Sequence, residues 1–145
     1  MTSKNLKARD IMHRDVRCIP PDRSLREAAQ LMRELDVGAL PICDNDRLGG
    51  MITDRDIVVR CIAEGGDPGR VRAGELAQGT PRWIDADADV QEVLDTMERH
   101  QIKRLPVIDT QAGMRLVGII SEAEIARNLS DEKIAEFVGK VYTPH

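Results

Sequence analysis

Two short polar stretches carry side chains that could bind a small ligand. The first is Thr53-Asp54-Arg55-Asp56 and the second is Ser121-Glu122-Ala123-Glu124, and each places a carboxylate three residues after a hydroxyl. A carboxylate can accept hydrogen bonds from both hydroxyls of a vicinal diol, and charge-assisted bonds of this kind are worth about 1.5–3 kcal/mol. The same spacing is typical of a capping box, which closes the first turn of a helix. Both interpretations stay open, and one does not exclude the other.

Two cationic side chains precede the stretch Leu105-Pro106 and could meet a phosphate group. They are Lys103 and Arg104. Most other arginines are better explained as solvated surface residues. We therefore expect a single basic lip beside any anionic ligand.

The cysteines offer a second kind of chemistry. Cys18 falls on a predicted first strand and Cys43 on the following one. A parallel strand–helix–strand unit usually makes such strands neighbours, so the two thiols could approach to bonding distance. The alternative is a pair of buried thiols that act as small apolar side chains, which a reducing cytoplasm favours.

Other kinds of chemistry find little support in the sequence. The three cysteines and His13, His100 and His145 lack the spacing of a metal site, so neither a metal nor a required cofactor is expected. Catalysis by a covalent route needs a nucleophile beside a base, and no such pair stands out. The sequence therefore predicts a binding protein without catalytic residues.

An internal repeat positions all of these groups. When the sequence is shifted by 65 positions, Met32 falls on Met97 and Pro41 falls on Pro106. Further along, the shift becomes 68, because the second copy carries an insertion in a predicted turn, where insertions are tolerated. A chance match would not keep its register over this length.

Each copy has the sequence pattern of a β-α-β-β-α unit. A β-branched stretch at residues 16–19 or 82–84 precedes a helix with apolar residues at a period of 3.6, and Ser24 or Asp89 can cap that helix. Two strands joined by turn residues and a second helix complete the copy. The predicted boundaries are residues 8–64 for the first unit, 65–71 for a linker, 72–129 for the second unit and 130–145 for a final helix and tail.

The repeat also exposes differences between the copies. Gly38 and Ala39 are the uncharged counterparts of Lys103 and Arg104, so the basic lip belongs to the second copy. Glu124 is the counterpart of Asp56, and its extra methylene moves the carboxylate by about 1.5 Å. A capping box tolerates this change, whereas a diol clamp of fixed shape is more sensitive to it. If a ligand binds, we therefore predict one dominant site per chain.

The repeated strings resemble the CBS-domain family. They read VGALPICDNDRLGGMITDRDI at residues 37–57 and IKRLPVIDTQAGMRLVGIISEAEI at residues 102–125, each with Leu-Pro-aliphatic, a turn, Gly-aliphatic-aliphatic and Thr/Ser-x-x-acid-Ile. The resemblance covers residues 8–129. It implies an α+β fold in which a tandem pair of CBS units, a Bateman module, packs about a pseudo-two-fold axis and leaves two symmetric clefts.

The resemblance also implies a function. Stand-alone pairs of this kind commonly bind an adenosine-containing ligand, of the AMP, ADP or ATP class, in the cleft between the units, and signal by changed dimer or partner contacts. The residues that would serve are Thr53 and Asp56 on the ribose and phosphate, Ser121 and Glu124 as their counterparts, Lys103 and Arg104 on phosphate, and the backbone near Cys18, Ile19, Trp83 and Ile84 along the adenine. A homodimer and an unknown effector protein are the expected partners.

A second interpretation explains the same differences between the copies by a function that needs no nucleotide. Glu124, the uncharged Gly38-Ala39 pair and the two cysteines Cys18 and Cys43 would suit a redox-responsive or structural interaction protein that holds no nucleotide. The two interpretations differ in what the chain should bind and in how it should respond to a reductant.

Composition limits the other partners. A net charge of −4 argues against general binding to nucleic acid or an anionic membrane, both of which need a basic face. The first residues have no apolar stretch behind their lysines and do not resemble a signal peptide, so we expect a cytoplasmic protein. Phe, Tyr and Trp occur once each, so the core must be aliphatic.

Overall fold

The computed structural model describes residues 6–77 and 81–141. The chain contains both helices and strands, and a π-helical turn, Val58–Ile62, follows the third helix. The elements in order are α1 (Ala8–Ile11), α2 (Leu25–Leu35), β1 (Ala39–Asp44), β2 (Arg47–Thr53), α3 (Asp54–Ile57), α4 (Ala73–Leu76), β3 (Ile84–Asp85), α5 (Val90–His100), β4 (Arg104–Asp109), β5 (Arg115–Ser121), α6 (Glu122–Asn128) and α7 (Asp131–Val141). The predicted α+β class is confirmed.

The chain forms two compact units. The first-copy unit is Arg17–Pro81, and the second-copy unit combines Met1–Val16 with Arg82–His145. Each has its own aliphatic core. The largest side chains buried almost completely are Leu25, Leu40 and Ile52 in the first-copy unit, and Met97, Leu105, Ile120, Ile125, Val93 and Val107 in the second-copy unit.

The hairpin is the most similar element of the two units. Strands β1 and β2 pair antiparallel, as do β4 and β5, and the register of both pairs slips at the same place, after Ile42 in one and after Val107 in the other. The three extra residues of the second copy form a 3₁₀ turn, Thr110–Ala112, that ends at Gly113 with a φ of 72°. The insertion therefore leaves the paired strands unchanged.

The long helices α2 and α5 begin and end alike. Ser24 accepts the Glu27 amide hydrogen and Asp89 accepts that of Glu92, as the sequence predicts for the two caps. Each helix ends at a residue in the left-handed region, which lets the chain turn towards the next strand. The two helices therefore fill the same place in their units.

The first strand differs between the copies, and the prediction of a strand at residues 16–19 is wrong in extent. Ile84 and Asp85 pair in parallel with β4, and the Ala86 amide extends the ladder to the Ile108 carbonyl. In the first copy the pairing is a single bridge, Ile19 to Ile42. The reason is that Pro20 and Pro21 follow Ile19, and proline has no N–H to donate to a ladder.

The second helix of the first copy is also less regular than predicted. The α-helical part ends at Ile57 and the chain continues as a π-helical turn, whereas α6 is regular throughout. Ile57 and Cys61 lie in the core, but Val58 and Ile62 are 55% and 54% exposed. The predicted apolar face of this helix is therefore only half buried.

The compact units exchange their short opening helices relative to the sequence repeat. Helix α1, from the first copy of the repeat, packs in the second-copy unit, where the Ala8 amide donates to the Ala88 carbonyl over 2.8 Å. Helix α4, from the second copy, packs in the first-copy unit, where the Ala73 amide donates to the Arg23 carbonyl, also over 2.8 Å. The repeat boundaries at 8–64 and 72–129 describe the sequence, but the packing units are divided differently.

The last helix extends the second-copy unit. Helix α7 contacts α5 and α6, and Ile134 packs against the core of that unit. The predicted helix after Ser130 is therefore present up to Val141, and the remaining predicted tail, residues 142–145, lies outside the described residues. Within the described ranges, neither α7 nor any other helix is long and apolar enough to cross a membrane.

Candidate functional site

The first capping box lies at the start of α3. The Thr53 amide donates to Asp56 Oδ2 over 3.0 Å, and the Asp56 amide donates to Thr53 Oγ1 over 3.0 Å. Asp56 Oδ1 lies 3.8 Å from Arg60 Nη1, which is longer than a hydrogen bond. The same Arg60 nitrogen instead donates to the Leu76 carbonyl over 2.7 Å. The first box therefore retains one carboxylate oxygen that could accept from a ligand.

The second capping box, at the start of α6, is more fully occupied. Glu124 Oε1 accepts from both the amide and the hydroxyl of Ser121, each over 2.7 Å. Glu124 Oε2 accepts from Arg127 Nη2 over 2.8 Å. The Glu124 residue is only 6% exposed. Both oxygens of this carboxylate are thus bonded within the unit.

Each of the two boxes therefore performs its helix-capping role, as the simpler interpretation predicts. Capping does not distinguish the copies. What distinguishes them is the acceptor that remains after capping, because both Glu124 oxygens have close donors, whereas Asp56 Oδ1 has none within hydrogen-bond distance among the described residues. The two boxes therefore differ in their bonding, and the inequality of the two sites in ligand binding stays a prediction.

The basic residues lie beside the second box. Arg104 is exposed and pairs in register with Ser121, at the end of the β4–β5 hairpin. Lys103, directly before it, is also exposed. The matching register pair in the first copy is Ala39 with Thr53. The two cations therefore lie in the second copy, beside the box whose carboxylate is already bonded. The carboxylate oxygen that could accept from a diol lies in the first copy.

The first-strand residues fall into two pairs. Ile19 and Ile84 are 4% and 5% exposed and belong to the cores of their units, so their side chains do not face a ligand. Cys18 and Trp83 occupy equivalent positions and are partly exposed. The backbone of these segments is expected from the sequence to lie along the adenine of a ligand, and that contact stays a prediction.

The structure joins Cys18 and Cys43 in a disulfide, with 5.5 Å between their Cα atoms. Cys18 directly precedes the single bridge residue Ile19, and Cys43 directly follows its partner Ile42. The covalent bond therefore holds the first strand where Pro20 and Pro21 shorten the ladder. Cys61 is a buried free thiol in the core of the first-copy unit.

Two surface depressions are lined at least partly by polar or charged side chains. One, of about 320 Å³, adjoins the first box and is lined by Asp54, Arg55, Val58 and Val59. The other, of about 570 Å³, runs along α5 and is lined by the cap residue Asp89 and by polar residues that the sequence did not single out: Gln91, Glu92, Asp95, Thr96 and Arg99. Neither is lined by the carboxylates of the two boxes.

A polar cluster holds α1 in the second-copy unit and was not predicted. Arg9 Nε donates to Asp87 Oδ1 over 2.9 Å, and Arg9 Nη2 lies 3.7 Å from Asp109. Close by, the amide of Asp87 and the hydroxyl of Thr110 donate to Asp85 and lower the pKa of that carboxyl. The partners are distant in sequence, so the residues alone gave no signal of this cluster.

Arg127 is the other residue that sequence reasoning missed. Its contact with Glu124 spans three positions on one helix, a spacing at which opposite charges commonly pair. That spacing was a usable signal, but it reads like any exposed ion pair until the burial of Glu124 is known.

Comparison with known proteins places the chain in a family. A model of the CBS domain matches residues 8–62 and 73–131. The chain belongs to the CBS-domain family. The family predicted from the repeated strings is therefore confirmed, and the two matched segments are the two copies of the repeat.

This CBS-domain protein is similar to hypoxic response protein 1 of Mycobacterium tuberculosis, with 51% identity over 138 residues and 94% of each chain covered. A crystal structure of Hypoxic Response Protein I with two coordinated zinc ions shares 53% identity and has a TM-score of 0.77, covering 86% of this chain and all of that one. A structure of CBSX2 in complex with AMP, 23% identical, has a TM-score of 0.70 and covers 83% of this chain and 93% of that one. The last shows a shared fold.

The zinc ions belong to the crystal structure of the related protein. Among residues 6–77 and 81–141, no three His, Cys, Asp or Glu side chains gather where a metal ion could be held.

Proposed function

We propose that this CBS-domain protein is a regulatory binding module that takes an adenosine-containing ligand of the AMP, ADP or ATP class at the first capping box. The observation that carries the proposal is the second oxygen of Asp56, which lies 3.8 Å from Arg60 and outside hydrogen-bond distance. One ribose hydroxyl can donate to this oxygen while the Thr53 hydroxyl meets the other. The occupant of a CBS-fold protein crystallised with AMP is of the same chemical class.

The half-buried position of Asp56 suits this role. A carboxylate that is partly removed from water forms stronger hydrogen bonds than one in bulk solvent, and its cap bond to the Thr53 amide fixes its orientation before the ligand arrives. The Ala39 position beside Thr53 carries no charge, so ribose recognition would contribute more than phosphate recognition here. We therefore expect affinity to depend weakly on the number of phosphates.

The proposal is tested by calorimetric titration of the full chain with AMP, ADP, ATP, S-adenosylmethionine and NADH. Asp56→Asn keeps the size of the side chain but weakens the acceptor, and should reduce AMP affinity at least tenfold. Asp46→Asn, in the exposed β1–β2 turn where Asn tolerates a positive φ of 65°, is the matched control and should bind as the wild type does. Absence of heat and of thermal stabilisation with all five ligands would reject the nucleotide role.

The output of such a module is proposed to act through a second copy of the chain or an effector protein. A ligand shifts such contacts only by its different affinity for the two states. Analytical ultracentrifugation with and without AMP measures this directly. A mass and association constant unchanged by saturating AMP would show that the ligand does not act through a dimer, and would leave the effector protein as the output.

A second candidate function rests on the Cys18–Cys43 disulfide. In this alternative the chain is a redox-responsive or structural interaction protein that holds no nucleotide, and a dithiol reductant converts the bond to two thiols. Intact-mass measurement after alkylation, with and without the reductant, tells the forms apart. If Cys18 and Cys43 both alkylate freely after mild oxidation, the redox role is excluded.

A further inference from the structure

The two copies differ at the residue that follows each box carboxylate by three positions. It is Val59 after Asp56 and Arg127 after Glu124. We propose that Arg127 is a specificity-determining residue, which keeps the second capping box from binding the diol of a ligand and so limits the chain to one site. This inference rests on the proposed function and names what confines it to the first copy.

The geometry of the second box shows how Arg127 acts. Its guanidinium is 64% exposed, whereas the Glu124 side chain it bonds to is 8% exposed. The arginine therefore covers the carboxylate from the solvent side and donates to the one oxygen that the Ser121 cap leaves over. A ligand hydroxyl would have to displace a charged donor and replace it with a neutral one.

Charge makes that exchange unfavourable. A ligand hydroxyl could still donate a charge-assisted hydrogen bond to Glu124, but as a neutral group it would not replace the attraction between the opposite charges of Glu124 and Arg127. A carboxylate that is almost buried also depends on its cationic partner, because an unpaired buried charge is strongly disfavoured. The Ser121 hydroxyl is committed as well, since it donates to Glu124 Oε1 over 2.7 Å. Donor and acceptor of the second box are thus both used within the chain.

The first box lacks this closure. The Val59 side chain has no hydrogen-bond donor and is 42% exposed, so it cannot bond to the Asp56 carboxylate as Arg127 bonds to Glu124. Arg60 comes nearest, but its Nη1 donates to the Leu76 carbonyl at the end of α4. The Thr53 oxygen accepts from the Asp56 amide, which leaves its hydroxyl hydrogen to be directed at a ligand. The residue three positions after the carboxylate thus distinguishes the two boxes. The first box keeps an acceptor that a ligand could use, and the second box does not.

The experiment exchanges the two side chains and counts sites. Stoichiometry per chain is measured by calorimetry with AMP for the wild type, for Glu124→Asp/Arg127→Val and for Val59→Arg. We expect one site in the wild type, two in the double variant, and at least a tenfold loss of affinity in Val59→Arg, where the new arginine can pair with Asp56. Arg33→Val, an exposed arginine near the end of α2, is the matched control and should retain one site.

The outcomes separate this inference from the proposed function. If the wild type and a folded double variant both bind at one site, the role of Arg127 is overturned and nucleotide binding is left intact. Two sites in the wild type have the same meaning. No site in the wild type but one in the double variant rejects the proposed function and supports the role of Arg127. No site in either rejects both. Circular dichroism reports folding, and Val59→Arg tests the same idea without touching the second box.

Discussion

The two copies of the repeat share the same framework of helices and strands but differ in a few polar and backbone contacts. Each copy contains the same antiparallel hairpin with the same register slip, and α2 in the first copy is capped in the same way as α5 in the second. The differences lie at polar and backbone positions: a disulfide stands where the other copy extends its strand ladder, and the box carboxylate lies 3.8 Å from Arg60 in the first copy but is bonded to Arg127 over 2.8 Å in the second. Folding thus depends on the apolar pattern that the copies share, whereas the proposed binding would depend on a few positions that they do not share.

The largest effect should come from matched core truncations, which test whether the two units are equal in folding. Leu40 and Leu105 are equivalent, 1% and 0% exposed. Leu40→Ala and Leu105→Ala should each lower the free energy of unfolding by about 2–5 kcal/mol. Chemical denaturation of both variants measures this. A cost more than about 2 kcal/mol larger in one copy would mean that the units are unequal in their cores as well.

Reduction of the disulfide should affect one copy only. The bond closes a loop with a sequence separation of 25 residues, and such a cross-link stabilises by roughly 3 kcal/mol through the entropy of the unfolded chain. A dithiol reductant should therefore lower the melting temperature of the wild type and leave that of Cys18→Ala unchanged. Equal sensitivity of the two proteins would show that another cysteine responds to the reductant. Cys61→Ala serves as the control that retains the bond.

Removal of the second-box ion pair should have a smaller effect. Arg127→Ala leaves the almost buried Glu124 carboxylate without its cation and should cost about 1–3 kcal/mol. Val59→Ala, its counterpart in the first copy, removes a part-exposed side chain and should cost under about 1 kcal/mol. Thermal unfolding of the pair gives the comparison. Equal costs would indicate that Arg127 is an ordinary surface residue.

The smallest effect should appear in acid. Hydrogen bonds from the Asp87 amide and the Thr110 hydroxyl lower the pKa of Asp85, whose counterpart in the first copy is Pro20. A carboxyl with a depressed pKa in the folded state stabilises above its unfolded pKa of about 3.9, and this stability is lost as the pH falls towards the folded pKa. Asp85→Asn should therefore flatten the loss of stability below about pH 4. A variant whose stability falls as steeply as that of the wild type would contradict the prediction.

Much of the fold could be predicted because it depends on periodic apolar residues and on caps that lie within four positions. The helix caps at Ser24 and Asp89 and the hairpins were found in this way. The short first strand was misjudged although its cause, Pro20-Pro21, is visible in the sequence. The β-branched pattern of residues 16–19 outweighed the missing amides in that interpretation.

The site was predicted less completely, because its character depends on contacts that no short pattern reveals. The sequence identified both boxes and the inequality of Asp56 and Glu124. It did not show that Arg60 turns to the Leu76 carbonyl, or that Arg127 covers a carboxylate only 6% exposed. Likewise, Cys18 and Cys43 were expected to be neighbours, but the sequence alone favoured two thiols. Burial and direction of side chains decide such questions, and both come from the tertiary structure.

The exchange of opening helices has a consequence for synthesis on the ribosome. Every described partner that completes the first-copy unit has been made once Ala77 is in place, whereas α1 must wait for Ile119, whose carbonyl accepts the His13 amide hydrogen. At about 5–20 residues per second, that wait is on the order of ten seconds. Four residues cannot form a stable helix alone, so α1 forms only when these partners have been made. The copy that carries the disulfide and the first capping box is thus expected to fold first, and helix α1, although it is made earlier, is among the last elements to pack.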